Sequence, residues 1–368
     1  MPEASSESID HFPAFLARLP PDLDLEGLAR ATKAYERPRG VRSGTDLLRL
    51  ALAWGPGGHS LRQVAAWAGE RGIAEITDEA LVQRLHNAGA FLQAVTKQLL
   101  VPKAPAPCWH GRVLRICDST SLSKPASKGT DWRVHGVYDL ACGAFTHLEL
   151  TDSHGGEALD RGKPVAGEVR IGDRGYSNAQ AWQRFCQANE GQTDYIVRMR
   201  WNTVRLVDKA GELFDLIAWL RALPTEGATH EIAVRFQSGK HQKPVPIRLV
   251  VRRNTPEAVE AAHKHLRRQA SRKQSKLDER SLVAAGFLVL ATSLPETEFP
   301  AAEVLAVYRL RWQIELAFKR LKSLLHIDKI RTKTEAGTRC WLYAHLIVAL
   351  LCDDHSQDVL ESFPSGAV

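Results

Sequence analysis

The chain has six cysteines, Cys108, Cys117, Cys142, Cys186, Cys340 and Cys352, but no Cys-x-x-Cys pair among its 368 residues. Such scatter argues against a zinc ribbon or a secreted disulfide framework and fits a reducing cytoplasm. The start, MPEASSESIDHF, is polar and acidic and has no apolar h-region, so no signal peptide is expected. Long hydrophobic runs are missing too. The longest, Trp341 to Cys352, has 12 residues and contains His345. A bilayer span takes about 20, so a buried core helix is expected there instead. Gly (26) and Pro (18) stand near average use, which rules out a collagen-like or low-complexity chain. No internal repeat is visible.

What is present is an ordinary globular composition with a basic excess. Lys+Arg number 49 against 42 Asp+Glu, a net charge of +7. The excess is concentrated locally, which points to a polyanionic partner rather than a membrane. At about 150 residues per domain, the length suggests two to three domains with a sizeable core.

Residues 1–105 read as helical. Ser60 is placed to cap SLRQVAAWAGERG and Thr77 to cap TDEALVQRLHNAG. The two segments, joined at Gly72, form either a helix-turn-helix or part of a plain bundle. VPKAPAPC (101–108) reads as a Pro-rich linker. Beyond it, VLRICD, WRVHGVYDL, AFTHLEL, EVRIGD and DYIVRMR are short β-like runs, with a helical segment, 178–189, between the last two. Together they suggest a mixed sheet flanked by helices. From 200 to 296 the composition shifts. THEIAVRF and VPIRLVVRR alternate like antiparallel strands, 255–280 reads as one helix, and FLVLATS reads as a strand. Between Lys264 and Arg280 that helix carries seven basic and two acidic residues, which favours a DNA contact over a merely solvated face. Helices are expected over 300–325 and 336–352.

The 300–325 segment is the most informative. At ~100° per residue, Tyr308, Arg311, Trp312, Glu315, Lys319 and Lys322 fall on a stripe ~100° wide, with Leu310, Ile314, Ala317, Phe318, Leu321 and Leu325 on the packing face. One acid among cations and aromatics suits a phosphate backbone, with Trp312 available to stack on an unpaired base. Glu315 can equally be an internal partner of Arg311 or Lys319. Two other acids end β-like runs: Asp118 in CDSTSL and Asp173 in GDRGY. Taken singly each fits a turn. Carboxylates on rigid strand ends also suit hard divalent cations.

The spacing Tyr308-x2-Arg311-x3-Glu315-x6-Lys322 resembles the YREK signature of DDE transposases from bacterial insertion sequences, the group that includes the Tn-five and insertion-sequence-four types. CDSTSL and GDRGY resemble that family's two aspartate motifs. HGVYDL, LTDSHGGEAL and VLATSLP resemble further blocks, so the likeness covers about 110–352. It implies an α/β fold: a ribonuclease-H-like mixed sheet flanked by helices, with a β-rich insertion and an N-terminal helical DNA-binding region. The implied division is 1–105 for DNA binding, 106–199 and 297–352 for the two parts of the catalytic core, 200–296 for the insertion, and 353–368 as a short tail. It further implies that Asp118, Asp173 and Glu315 are catalytic and bind two Mg²⁺ ions, with Mn²⁺ able to substitute.

By the same resemblance, Tyr308, Arg311, Lys319 and Lys322 would hold DNA phosphates and Trp312 a displaced base. Phe287 stands where a second stacking aromatic, a Trp, is expected. The implied activity is cleavage at the ends of the element and joining of its 3′-hydroxyl ends to target DNA. The implied partners are double-stranded DNA and, in the DNA complex, a second copy of the chain, in a bacterial cytoplasm near the nucleoid. A catalytically silent, DNA-binding relative is the alternative. His135, His154 and Glu157 lack a metal-ligand spacing and read as structural, with Glu157 expected to cap a helix. Cys117 reads as a small buried strand residue.

Overall fold

The structure is a computed structural model that describes residues 12–35, 39–100, 107–223, 228–239 and 242–361. Most of the expected linker 101–108 lies outside the described residues. Among the described residues, six helices lead: α1 (Phe12–Leu16), α2 (Leu25–Ala31), α3 (Gly44–Trp54), α4 (Leu61–Glu70), α5 (Asp78–Asn87) and α6 (Gly89–Leu99). The expected caps are in place. Ser60 accepts from the Gln63 amide at 3.3 Å, and the Gln63 side chain accepts from the Ser60 amide at 2.9 Å. Thr77 accepts from the Ala80 amide at 3.2 Å. These reciprocal bonds satisfy helix-end N–H groups that otherwise face water unpaired.

The sheet comprises β1 (Val113–Leu122), β2 (Trp132–Asp139), β3 (Ala144–Asp152), β4 (Glu168–Gly172), β5 (Asp194–Arg198), β6 (Arg205–Val207), β7 (Thr229–Gln237), β8 (Val245–Arg253) and β9 (Phe287–Thr292). Its order is β3-β2-β1-β4-β5-β9-β8-β7-β6. β1 runs antiparallel to β2 and parallel to β4, and β4 runs parallel to β5. β9 pairs antiparallel with both β5 and β8, so the strands of the later segment continue the first sheet. This is a mixed α/β sheet flanked by helices, as expected.

The remaining helices are α7 (Ala179–Gln187), α8 (Leu216–Ala222), α9 (Pro256–Arg272), α10 (Glu279–Ala285), α11 (Ala301–Arg309), α12 (Trp312–Leu325) and α13 (Glu335–Glu361). Strand alternation sorts the sheet into two faces. Leu114, Ile116, Val169, Ile171, Ile196, Val250 and Leu290 join one core with α2–α6 and α11–α13. Cys117, Val197, Leu249, Val251, Val289 and Ala291 join a second core with Trp182 and Phe185 of α7 and Leu216 of α8. The 12-residue apolar run lies in α13 as a buried core helix, with Trp341, Leu342, Leu346 and Ile347 at or near zero exposure. Among the described residues, no helix is long and apolar enough to cross a membrane.

Three expectations are corrected. The 255–280 segment is two helices, α9 and α10, with Thr255 and Asp278 as separate N-caps. The 300–325 segment is also two helices. At the junction, Leu310, Arg311 and Gln313 donate to Val307, Tyr308 and Leu310 at 3.0, 3.1 and 3.0 Å, so three-residue bonds replace the α-helical ladder. A single projection across 308–322 therefore does not hold, and Leu310, expected on the packing face, is 37% exposed.

Candidate active site

Asp118 lies in β1 opposite Gly136 of β2. The register pairs Cys117 with Gly172 across the parallel β1–β4 ladder, which sets Asp118 level with Asp173, just past the end of β4; the expectation that Asp118 ends its own strand is corrected, because β1 stays paired with β2 through to Leu122. Ile116 and Ile171, two residues earlier in each strand, pack in the core under α12, so the alternation turns both acids toward that helix. Asp173 caps a short turn, accepting from the Gly175 amide at 2.7 Å. Asp118 accepts from the Ser119 amide at 2.8 Å. Burial pushes the Asp118 carboxyl up to about 6, with Asp173 and Glu157 adding to the rise and the Ser119 amide and Arg311 opposing it.

α12 brings the third acid. Gly136 makes the close approach possible: a Cβ there would stand 2.9 Å from Phe318 Cζ and 2.7 Å from Phe145 Cε1. Phe318, one turn beyond Glu315, seats on the bare backbone opposite Asp118. Asp118 and Glu315 then line one cavity of about 430 Å³ with Ser119, Thr120, Phe318, Lys319, Lys322, Ser323 and Asp328. Glu315 is paired to Arg311, Nη2 to Oε1 at 2.5 Å.

The predicted phosphate-side residues separate by exposure. Tyr308 is buried, and burial pushes its hydroxyl pKa up, opposed by Arg311 and Arg198. Trp312 is 49% exposed, and Lys319 and Lys322 stand on the cavity wall. Phe287 is buried against Arg253, whose guanidinium lies 4.7 Å from the ring centre. It is therefore already covered on one face.

Other groups were missed in the sequence. Arg174 and Arg198 lie close enough to Asp173 and Tyr308 to feel their charge; burial lowers both guanidinium pKa values, with repulsion from Arg198 and Arg200 adding at Arg174 and from Arg311 adding at Arg198. Arg198 Nε is buried without a hydrogen-bond partner among the described residues. The signal was a charged residue two places after Ile196, on the inward face of β5. Asp328 also joins the cavity, from beyond the end of α12. Glu157 caps no helix; it accepts from Ser119 Oγ at 2.7 Å. His135 is a core residue as expected, bonded to Thr151 Oγ1 at 3.0 Å, and burial pushes its pKa down to about 4. His154 is exposed beside Asp152. Cys117 is buried, which pushes its thiol pKa up.

The donor chemistry suits a hard cation. Asp118, Asp173 and Glu315 offer only carboxylate oxygens, and the Asp118 carboxyl is raised chiefly by burial, with the nearby Asp173 adding to the rise. Among the described residues, no three His, Cys, Asp or Glu side chains are gathered closely enough to hold an ion, with Glu315 drawn instead onto Arg311.

Similarity to known proteins places the chain among transposases. The family described as "Transposase DDE domain" matches residues 109–351. A putative transposase for insertion sequence element IS186A of Escherichia coli strain K12 is 40% identical over 364 residues, covering 98% of each chain. The transposase for IS421 of Escherichia coli is 40% identical over 365 residues, again covering 98% of each. The transposase for IS231F of Bacillus thuringiensis subsp. israelensis is 28% identical, over 89% of this chain and 76% of its own. Among solved structures, a piggyBac transposase synaptic complex with hairpin DNA aligns with a TM-score of 0.50 at 8% identity, over 95% of this chain and 73% of that one. That likeness concerns the fold alone. The chain belongs to the DDE transposases of bacterial insertion sequences.

Proposed function

We propose that this transposase cuts DNA at the ends of its own insertion sequence and joins the freed 3′-hydroxyl ends to target DNA, with Asp118, Asp173 and Glu315 as its catalytic carboxylates. The observation that carries this reading is the cavity that Asp118 and Glu315 both line, with Lys319 and Lys322 on its wall. A phosphodiester fits such a place, since the lysines attract phosphate charge while the acids stand at the reacting group. In the cutting step, a water oxygen bonds to the scissile phosphorus as the bond to the 3′ oxygen breaks, and a 3′-hydroxyl remains on the element. In the joining step that hydroxyl oxygen attacks a target phosphorus and displaces the target's own 3′ oxygen.

Asp118, Asp173 and Glu315 are the residues that would hold Mg²⁺, or Mn²⁺ in its place, and the chemistry supplied there is activation of the attacking oxygen and neutralisation of the leaving one. Arg311, Lys319 and Lys322 orient the phosphates, and the exposed Trp312 offers its ring to a base. Tyr308, buried beneath them, steadies Arg311. Residues 1–105 would bind DNA, as would exposed α9, and 106–199 with 297–352 would carry the chemistry around the 200–296 insertion and ahead of the 353–368 tail. A second copy would hold the other element end, in the bacterial cytoplasm.

The test uses a supercoiled plasmid bearing the DNA that flanks this gene, with purified protein and Mg²⁺. Ca²⁺ and Glu315→Gln serve as controls. Excision and joined products that need both Mg²⁺ and Glu315 support the reading. Tight binding without cleavage sinks it in favour of a silent DNA-binding relative, and nicking without joining reduces it to a hydrolytic nuclease.

A further inference from the structure

The loop that follows β3 carries an acid whose placement is built rather than incidental. Arg161 Nε donates to the Gly156 carbonyl at 2.9 Å, and Arg170 Nη1 donates to the carbonyls of Leu159 and Arg161, each at 2.7 Å. Leu159 is fully buried in the second core. Glu157 is thus held from both sides of the chain, only a quarter exposed, with Arg133 Nη1 at 3.5 Å.

Its two oxygens reach two different segments. Oε1 accepts from Ser119 Oγ at 2.7 Å, and Ser119 is the residue whose amide holds Asp118. Oε2 lies against Gly175, so closely that a Cβ there would stand 1.7 Å from it. Gly175 is the residue whose amide holds Asp173. One carboxylate therefore spans the two residues that fix the two aspartates. A solvated surface acid would need neither a pinned loop nor a bare glycine beside it.

We propose that Glu157 is a positioning residue that sets the separation and aim of Asp118 and Asp173; this rests on the catalytic reading of those two acids. It acts by hydrogen bonding and packing, through Ser119 and Gly175, as groups behind a catalytic shell commonly do.

The experiment compares full-length wild type, Glu157→Ala, Glu157→Gln and Ser119→Ala on the plasmid substrate. Mn²⁺ affinity is measured separately by electron paramagnetic resonance without DNA, and DNA affinity by gel shift in Ca²⁺. Loss of an outer-shell partner typically costs about 10–100-fold in activity or metal affinity. Glu157→Ala is expected to fall by that much in both cleavage and Mn²⁺ affinity, with DNA affinity unchanged. Glu157→Gln should recover most of both, because its amide oxygen still accepts from Ser119.

Ser119→Ala should reproduce part of the loss and add nothing to Glu157→Ala, the mark of a shared interaction. If Glu157→Ala fails to fold, Glu157→Gln and Ser119→Ala still decide. Wild-type cleavage with an unimpaired Glu157→Ala or Ser119→Ala overturns the inference alone. A Glu157→Gln as poor as Glu157→Ala also overturns it, since the charge would then matter and not the hydrogen bond. A wild type that does not cleave in Mg²⁺ or Mn²⁺ overturns the catalytic reading, and this inference with it.

Discussion

Arg311 pairs with Glu315, four residues on, Nη2 to Oε1 at 2.5 Å, and Glu315 also lines the cavity it shares with Asp118. The pair is half open to solvent on the Glu315 side, and an exposed ion pair contributes only about 0–1 kcal/mol. On the proposed function, a DNA phosphate meeting the guanidinium fork with two of its oxygens would take Arg311 over at little cost and leave Glu315 free. On that reading the pair keeps Glu315 near Asp118 without locking it there.

Arg311→Ala is expected to change thermal stability little and to lower cleavage about 10–100-fold, the loss of one charge-assisted phosphate contact. Arg311→Lys should fall between, since it keeps the charge and loses the fork. Single-turnover cleavage with melting curves checks this. A large drop in melting temperature with normal cleavage would show that the residue serves only the helix junction.

Gly136 decides how near α12 lies to β1. In Gly136→Ala the new methyl meets Phe318 and Phe145 at distances real Cβ contacts do not show. Both rings are buried, so something must shift, at about 1–3 kcal/mol. The shift carries Glu315 away from Asp118, and cleavage should fall by more than stability alone explains. Adding Phe318→Leu makes room and should restore part of the rate. Were Gly136→Ala destabilised yet fully active, the helix would be placed by other contacts.

The basic helix α9 has no buried residue. Lys264, Arg267, Arg268 and Arg272 are exposed on it. If they meet a DNA backbone, each neutralised phosphate contributes about 0.9 to the slope of log K against log salt. Arg267→Ala with Arg268→Ala should therefore flatten that slope by about 2, uniformly across DNA sequences. An unchanged slope in a salt titration would mark α9 as a plain solvated face.

Most strands were legible because their apolar alternation is local. Asp118 and Asp173 stood out because each follows an apolar run; Asp173 does lie just past its strand, whereas β1 continues through Asp118 to Leu122, its polar CDSTSL half being held by pairing with β2. The 308–322 stripe was read as one helix face, which the two helices there do not form. The junction at Leu310–Arg311 contains neither Gly nor Pro, so nothing in the local sequence announces the change of bonding there. The short β6 and α8 escaped for want of length, and their residues take their form from the second core. Glu157 was misread as a helix cap because its partners, Ser119 and Gly175, are remote in sequence and meet it only when the sheet forms.

Two buried histidines give the fold a pH dependence with a definite sign. His345 lies in α13 with its ring 3.7 Å from that of Trp341, and Nδ1 is 2.7 Å from the Trp341 carbonyl. Burial pushes its pKa down to about 4, and that of His135 likewise to about 4. An unfolded histidine titrates near 6.5, so between about 4 and 6.5 the unfolded chain binds more protons than the folded one. The stability from keeping these rings neutral is fully present above 6.5 and is lost as the pH falls toward 4. Each ring accounts for about 3 kcal/mol at most. Urea melts at pH 7 and pH 5 should show the loss, and His345→Leu, apolar and of similar bulk, should lose less between the two pH values. A variant with the same pH dependence as wild type would mean that other groups carry the acid sensitivity.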